Sequence, residues 1–288
     1  MADRLVAVFF SLLFKAIHLL PLAWFEPVAG VLAWVLRLFS PKDVRRLREN
    51  VQRIYKLPPG SHFSAMFEKQ VFHHHIVCAL ETLRMVTDPE VGQVEGFHEL
   101  EGILKQVEDA QKGHLLLTAH LGSWELCAYF GQKAASRPLV VLAKPPKRPF
   151  LLRPLARFRE QLGAKVLWTD QKTLLREMLG TLKRGEGLGF VMDQKPDSRR
   201  GPLVTFLGQP TIFVGGPASM AVRTQCAAVS IFCVREGAFR YRILSSLALK
   251  PDHGETDEHA LTQVFAQSIE TAIRAYPEQW TWNYRRWQ

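Results

Sequence analysis

From about residue 90 onward, short apolar runs alternate with amphipathic stretches, and this alternation constrains the fold more than any other feature. Runs at 115–119, 138–143, 164–168, 187–192, 228–234 and 238–244 are short, apolar and bounded by turn residues, so they read as strands. Between them, 97–112, 123–135, 149–162, 171–184, 215–225 and 257–276 read as helices. The order predicts an α/β fold: a mostly parallel central sheet flanked by helices, with an antiparallel pair near its end.

Upstream the pattern differs, and the chain divides at about residue 60 into an N-terminal helical segment, 1–60, and an α/β domain, 61–288. Apolar runs at 5–14, 16–25 and 27–36 are separated only by Lys15 and Glu26. On a helix over 4–20, Arg4, Ser11, Lys15 and His18 form one narrow polar stripe on an otherwise apolar surface. Such a helix suits lying in or dipping into a bilayer. Pro21 and Pro27 break the segment, and a second apolar helix is expected over 28–39. Neither piece is an uninterrupted apolar span of about 18 residues, which argues against one clean crossing. Two buried core helices are the alternative. Ser40-Pro41-Lys42-Asp43 then opens a basic helix with Val44, Leu47, Val51 and Ile54 on one side. Six basic residues against two acidic ones over 42–56 suit an anionic leaflet. A net charge of +10 over 288 residues likewise points to an anionic partner without choosing among them.

A long helix is expected over 62–86, where His73, His74 and His75 point in three directions and cannot converge on one metal. The cysteines (Cys78, Cys127, Cys226, Cys233) sit in apolar contexts without ligand spacing and read as reduced core residues.

His120 ends the apolar run 115–119; Gly122-Ser123 follows, and Glu125 stands in the first turn of the next helix. That places an imidazole at the carboxyl edge of the sheet, where α/β proteins collect ligands and catalytic groups. A second histidine with an acid five residues on, His253/Glu258, lies in a polar, turn-rich segment. His120 is therefore either a catalytic base or a buried structural histidine. Lys144, Lys147, Arg148, Arg153, Arg157 and Arg159 follow the next strand among four prolines, a shaped basic loop suited to phosphate. Asp193-Gln194 ends another strand, and Gly215-Gly216-Pro217-Ala218 opens a small-residue helix whose first amides are suited to an anion. The tail Trp280-Thr281-Trp282-Asn283-Tyr284-Arg285-Arg286-Trp287 mixes rings and arginines as interfacial segments do, unless the rings pack on the core.

His120-Leu-Gly-Ser-Trp-Glu125, Asp193-Gln194, Phe206-Leu-Gly-Gln-Pro210, Gly216-Pro217-Ala218 and Gln279-Trp-Thr-Trp282 with Arg285-Arg286-Trp287 occur in this order. Together they resemble the bacterial lipid A biosynthesis lauroyl/myristoyl acyltransferases, a likeness that covers most of the chain. Two departures stand out: Lys195 follows Gln194 where many members have Asp, and Lys144-Pro-Pro-Lys-Arg-Pro149 replaces an Arg-Pro-x-x-Asn-Pro stretch. The resemblance implies an enzyme on the cytoplasmic face of the inner membrane. It would move an acyl chain from acyl carrier protein to a hydroxyl of a lipid A precursor, with no metal, no cofactor and no nucleic-acid partner. His120 would be the general base and Glu125 the acid that orients it. Lys144, Arg157, Arg159, Asp193, Gln194 and Gly216 would contact substrate or support the site, with Arg159 or helix-start amides stabilising the oxyanion. Three rivals stand beside this reading: acylation of a glycerophospholipid or aminolipid, a hydrolase with Ser123 as nucleophile, and a non-enzymatic binder of anionic lipid. Ser123 lacks the Gly-x-Ser-x-Gly elbow.

Overall fold

A computed structural model describes residues 12–58, 60–110, 112–146, 158–196, 200–252, 254 and 256–287. Residues 12–19 are helical and are followed by a 3₁₀ turn, Leu22–Trp24, and by α1, Phe25–Phe39. Pro27 does not break α1. It falls in the first turn, where no intrahelical partner exists for the missing N–H. Helices α2 (Pro41–Tyr55) and α3 (His62–Thr87) follow, the latter capped by Ser61, whose hydroxyl accepts from the Ser64 N–H at 3.2 Å. The polar stripe expected from residue 4 lies partly outside the described residues.

The rest alternates: β1 (Gln93–Glu95), α4 (Phe97–Glu108), β2 (His114–Thr118), α5 (Trp124–Ala134), β3 (Leu139–Ala143) and β4 (Lys165–Trp168). Then come α6 (Leu174–Lys183), β5 (Gly187–Val191), β6 (Leu203–Phe206), β7 (Gln209–Ile212), α7 (Gly216–Thr224), β8 (Ala227–Gly237), β9 (Arg240–Leu249) and α8 (Glu258–Ala275). Seven strands form one sheet in the order β1-β9-β8-β2-β5-β3-β4, parallel except for β8 against β9. All six expected strands are in it.

Two strand features were not expected. β1 is only three residues long, and β6–β7 is a separate hairpin turned by Leu207 (φ 51°) and Gly208 (φ 74°). Positive φ at both central positions matches the right-handed twist of a tight hairpin.

Side chains of β2 alternate between two cores, as a strand covered on both faces requires. Leu115 and Leu117 join Met178, Leu182, Met220, Phe265 and Ile269 of α6, α7 and α8. Leu116 joins Leu100, Leu104, Leu126 and Phe130 of α4 and α5. The N-terminal helices contribute to both: Leu47, Val51, Phe67 and Val71 to the first, Ile17, Phe25 and Met85 to the second.

Buried carboxylates fix those helices in place. Glu68 accepts from Arg37 of α1 at 2.7 Å and Arg48 of α2 at 2.5 Å. Glu81 accepts from Arg235 and from the Tyr241 hydroxyl, each at 2.8 Å, and from the Phe239 N–H at 3.1 Å. Arg235 also reaches Glu26 at 2.5 Å. A buried carboxylate needs this many donors, because leaving one unpaired costs several kcal/mol. The three consecutive histidines diverge: His73 faces Glu26, His74 meets the Cys78 sulfur at 3.0 Å, and His75 meets the Val71 carbonyl at 2.6 Å.

Candidate active site

The register of β2 with β5 builds the centre. Thr118 stands opposite Val191 in parallel pairing, and the Met192 N–H donates to the Thr118 carbonyl at 2.9 Å. Each chain therefore leaves the sheet at the same edge, and His120 and Asp193, each two residues on, meet there. The Asp193 carboxylate accepts from His120 Nδ1 at 2.8 Å, from the His120 backbone N–H at 3.1 Å and from Trp280 Nε1–H at 2.8 Å. With Nδ1 as the donor, the Nε2 lone pair is left for the cleft. Gln194 Nε2 lies 3.4 Å from His120 Nε2, and the Trp124 ring stands edge-on at 5.1 Å.

The loop that carries His120 is clamped from behind. Gly122 (φ 60°) passes so close to the Cys233 carbonyl that a Cβ would collide with it, so only glycine fits. Ser123 N–H donates to the Cys233 carbonyl at 2.8 Å and Gly122 N–H to the Gln279 carbonyl at 3.0 Å. Thr281 donates its hydroxyl, at 2.8 Å, and its N–H, at 3.1 Å, to the His120 carbonyl. The aromatic tail is thus core rather than interface: Trp280, Trp282 and Arg286 are fully buried.

Opposing effects act on the imidazole. Burial disfavours its charged form, but the Asp193 charge and hydrogen bond, with Glu125 behind them, outweigh that and hold the His120 pKa above the ordinary histidine value despite Arg159. Asp193 is itself fully buried, which favours its neutral form. The His120 charge, its hydrogen bond, the Trp280 N–H and the Arg286 charge overcome this and keep the carboxyl below the usual range.

Glu125 does not hold His120. Its carboxylate pairs with Arg159 at 2.9 and 3.4 Å, and the group that orients His120 is Asp193. A helix start directs Glu125 across the cleft toward residue 159, while Nδ1 points down onto the neighbouring strand end. Asp193 correspondingly sits behind His120 instead of facing a substrate, at 2% exposure. Ser123 occupies the helix N-cap position but makes no side-chain cap; its hydroxyl bonds the Thr82 hydroxyl at 2.6 Å and is buried, which removes the serine-nucleophile reading. His120, Glu125, Lys144, Arg159, Gln194 and Gly216 all line one cleft of about 610 Å³. Arg157 and His253 lie outside the described residues.

From His120 the cleft runs under α5 along the sheet, past Thr118, Cys127, Leu116, Val141 and Gly189. Leu116, Gly189 and Val141 are register neighbours across β2, β5 and β3, so the missing side chain at 189 deepens this apolar floor. A Cβ there would meet Val141 at 3.1 Å. A wider open cleft of about 1260 Å³ beside β9 shares none of these residues.

A histidine–aspartate pair at the carboxyl edge of an α/β sheet, opening into a long apolar groove, is an arrangement that can accept a proton beside an apolar ligand. The chain belongs to the bacterial lipid A biosynthesis acyltransferase family, which it matches over residues 3–288. Among curated proteins it is similar to a phosphatidylinositol mannoside acyltransferase of Mycolicibacterium smegmatis, 28% identical over 181 residues. That match covers 62% of this chain and 58% of the relative. A phosphatidylinositol mannoside acyltransferase of Mycobacterium tuberculosis is 25% identical over 260 residues, 84% of this chain and 76% of the relative.

Proposed function

We propose that this acyltransferase moves a fatty acyl chain from acyl carrier protein to a hydroxyl of a membrane glycolipid, with His120 as general base. The observation that carries the reading is the His120–Asp193 pair at the head of an apolar groove. A lipid hydroxyl is a poor nucleophile at neutral pH and needs a base within hydrogen-bond reach. Nε2 of His120 takes the hydroxyl proton as the oxygen attacks the thioester carbonyl. The tetrahedral intermediate then expels the thiolate, which takes that proton back from the imidazolium, so no acyl-enzyme forms. Asp193 fixes the tautomer and offsets the imidazolium charge, as the acid of a hydrolase triad does. Arg159, held by Glu125 at the cleft wall, stabilises the oxyanion. The acyl chain lies along the Gly189 floor, and Lys144, Gln194 and Gly216 face the acceptor or the donor's phosphate.

The family match favours a lipid A precursor as acceptor. A phosphatidylinositol mannoside-type lipid is the second reading, favoured by the names of the relatives. Basic α2 and the apolar outer face of α1 support attachment to an anionic membrane, with the cytoplasmic face of the inner membrane as the location where acyl carrier protein is available.

Purified membranes containing the protein, given labelled acyl carrier protein thioester and both acceptors side by side, test this. Wild type should label one acceptor. Folded His120→Ala should lose transfer by on the order of 10³-fold, the scale of a lost general base. Full activity of His120→Ala would overturn the base. Label passing only to the mannoside would overturn the lipid A acceptor and leave the mechanism standing.

A further inference from the structure

Among the described residues, Arg286 is a charge that the site described so far does not explain. Its side chain is fully buried, and none of its three guanidinium nitrogens has a hydrogen-bond partner. A buried cation without partners is expensive, so it persists only where some other group offsets the cost. Two faces around it are aromatic: its guanidinium stands 4.0 Å from the Phe213 ring centroid and 5.4 Å from that of Phe206. Phe206 in turn packs edge-on against Trp280 at 5.8 Å, and Trp280 Nε1–H donates to Asp193 at 2.8 Å. The strand-turn-strand of β6–β7 is held to the same spot, since Thr211 donates its hydroxyl to the Arg286 carbonyl at 3.2 Å. A chain of contacts therefore runs from the cation through Phe206 and Trp280 to the carboxylate that holds His120.

We propose that Arg286 is a positioning residue for acyl transfer: a buried cation, linked through Phe206 and Trp280 to Asp193, that offsets the charge of the carboxylate holding His120. This rests on His120 being the base in the proposed function. Through the aromatic wall Arg286 supplies charge without a hydrogen bond, so it cannot take Asp193 away from Nδ1. Electrostatics agrees: Arg286 and Asp193 each stabilise the other's charged form, while burial holds the guanidinium down to about 10. Other charges also act on the imidazole: Glu125 from α5 and Arg159 from the helical turn at 158–161; His120 in turn lowers the pKa of the buried His75 of α3. Lys144 and Lys195 share the cleft, with Tyr284. Unlike Glu125, Arg159, Lys144 and Lys195, Arg286 does not line the cleft, and it is fully buried.

The sign follows from charge alone. Removing a cation near the pair favours the imidazolium, so His120 should become harder to deprotonate. Arg286→Met, which fills the apolar site, and Arg286→Gln should both raise the His120 midpoint by about one pH unit, a tenfold change in proton affinity. Arg286→Lys should keep it near wild type. The midpoint is read by NMR titration of ¹³C-labelled histidine, assigned with His120→Gln, and in parallel from the acid limb of kcat/KM for acyl transfer. The NMR arm needs no turnover, so it fails or succeeds independently of the proposed reaction. A folded neutral variant with an unchanged midpoint would overturn the proposal. So would Arg286→Lys shifting, or unfolding, as much as the neutral variants do, because packing would then be the role. Loss of folding in both neutral variants with a native Lys variant is the outcome expected if buried Asp193 requires the charge.

Discussion

At the residue scale the argument turns on which carboxylate serves His120. With Asp193 in contact and Glu125 engaged by Arg159, Asp193→Asn and Glu125→Gln should behave differently. An asparagine can present its amide to Nδ1 and favour the wrong tautomer, so kcat should fall on the order of 10³-fold, as in other orienting-acid variants. Wild-type kcat/KM should rise with pH through a midpoint above 6.5, because the folded His120 holds its proton longer than a free histidine and only the neutral form acts as base. In Asp193→Asn the burial effect is left with less opposition, and the residual activity should show its acid limb at lower pH. Glu125→Gln should move that limb only slightly, since its charge acts on His120 from farther away. A pH–rate series on the three proteins separates these outcomes; an unmoved limb in Asp193→Asn would refute the pairing. His120 was legible in sequence because an apolar run, a turn and a helix start surround it. Asp193 was legible as a strand-end acid that supports the site, but its pairing with His120 was not. Asp193 is 73 residues away, and nothing local announces that β2 and β5 are neighbours. The acid five residues on looked better only because it was near.

Elements repeat that lesson on a larger scale. Strands buried on both faces announced themselves as apolar runs, and the helices among the described residues by their periodicity, although Ser40 and Ser123, at the expected cap positions, make no side-chain cap. The expected helix 149–162 lies largely outside the described residues. The β6–β7 hairpin was missed because Pro210 interrupts an otherwise readable strand, and a two-stranded sheet tolerates a proline that a central strand would not. Three-residue β1 is too short to leave a pattern. Pro27 was read as a breaker although a first-turn proline costs a helix little. The groove under α5 was equally hidden, since it depends on Leu116, Gly189 and Val141 lining up across three strands. That alignment makes a prediction. In Gly189→Val the new side chain projects into the groove beside Val141, so long acyl donors should lose kcat/KM relative to short ones. A loss of roughly 10–200-fold is the range expected for an overfilled apolar pocket. Competition between C8 and C16 carrier-protein thioesters, one donor labelled in each run, measures the ratio. Equal loss for both lengths would mean that the chain does not reach residue 189.

For the whole molecule, the decisive relation is between the N-terminal helices and a bilayer. By length and composition the stretch Leu22–Phe39 is able to cross a membrane. Yet α1 itself, at 15 residues, spans only about 22 Å against about 30 Å of hydrocarbon. Its two charged residues are tied into the folded body, Glu26 to Arg235 and Arg37 to Glu68. One face packs inward through Phe25, Ala29 and Ala33; the other exposes Trp24, Val31, Trp34, Leu38 and Phe39. Pulling α1 upright would break both ion pairs and uncover the inward face. Lying flat keeps them and sinks the outer face into the bilayer, at roughly 1.5–3 kcal/mol for each large apolar side chain fully removed from water. Exposed Lys42, Arg45 and Arg53 on α2, with Lys56 at its C-cap, add attraction to anionic lipid, about 1 kcal/mol per basic residue near the surface. The two contributions respond differently to salt, because at 1 M the Debye length is about 3 Å and only the charge attraction is screened. Wild type should therefore sediment with anionic vesicles both at low salt and after a 1 M NaCl wash. Trp34→Glu/Leu38→Glu, altered on the outer face alone, should bind at low salt through α2 and come off in the wash while keeping its folded circular dichroism. Release of wild type by salt alone would place α1 outside the hydrocarbon. Retention of the double variant through the wash would mean that a segment other than this face holds the protein to the membrane.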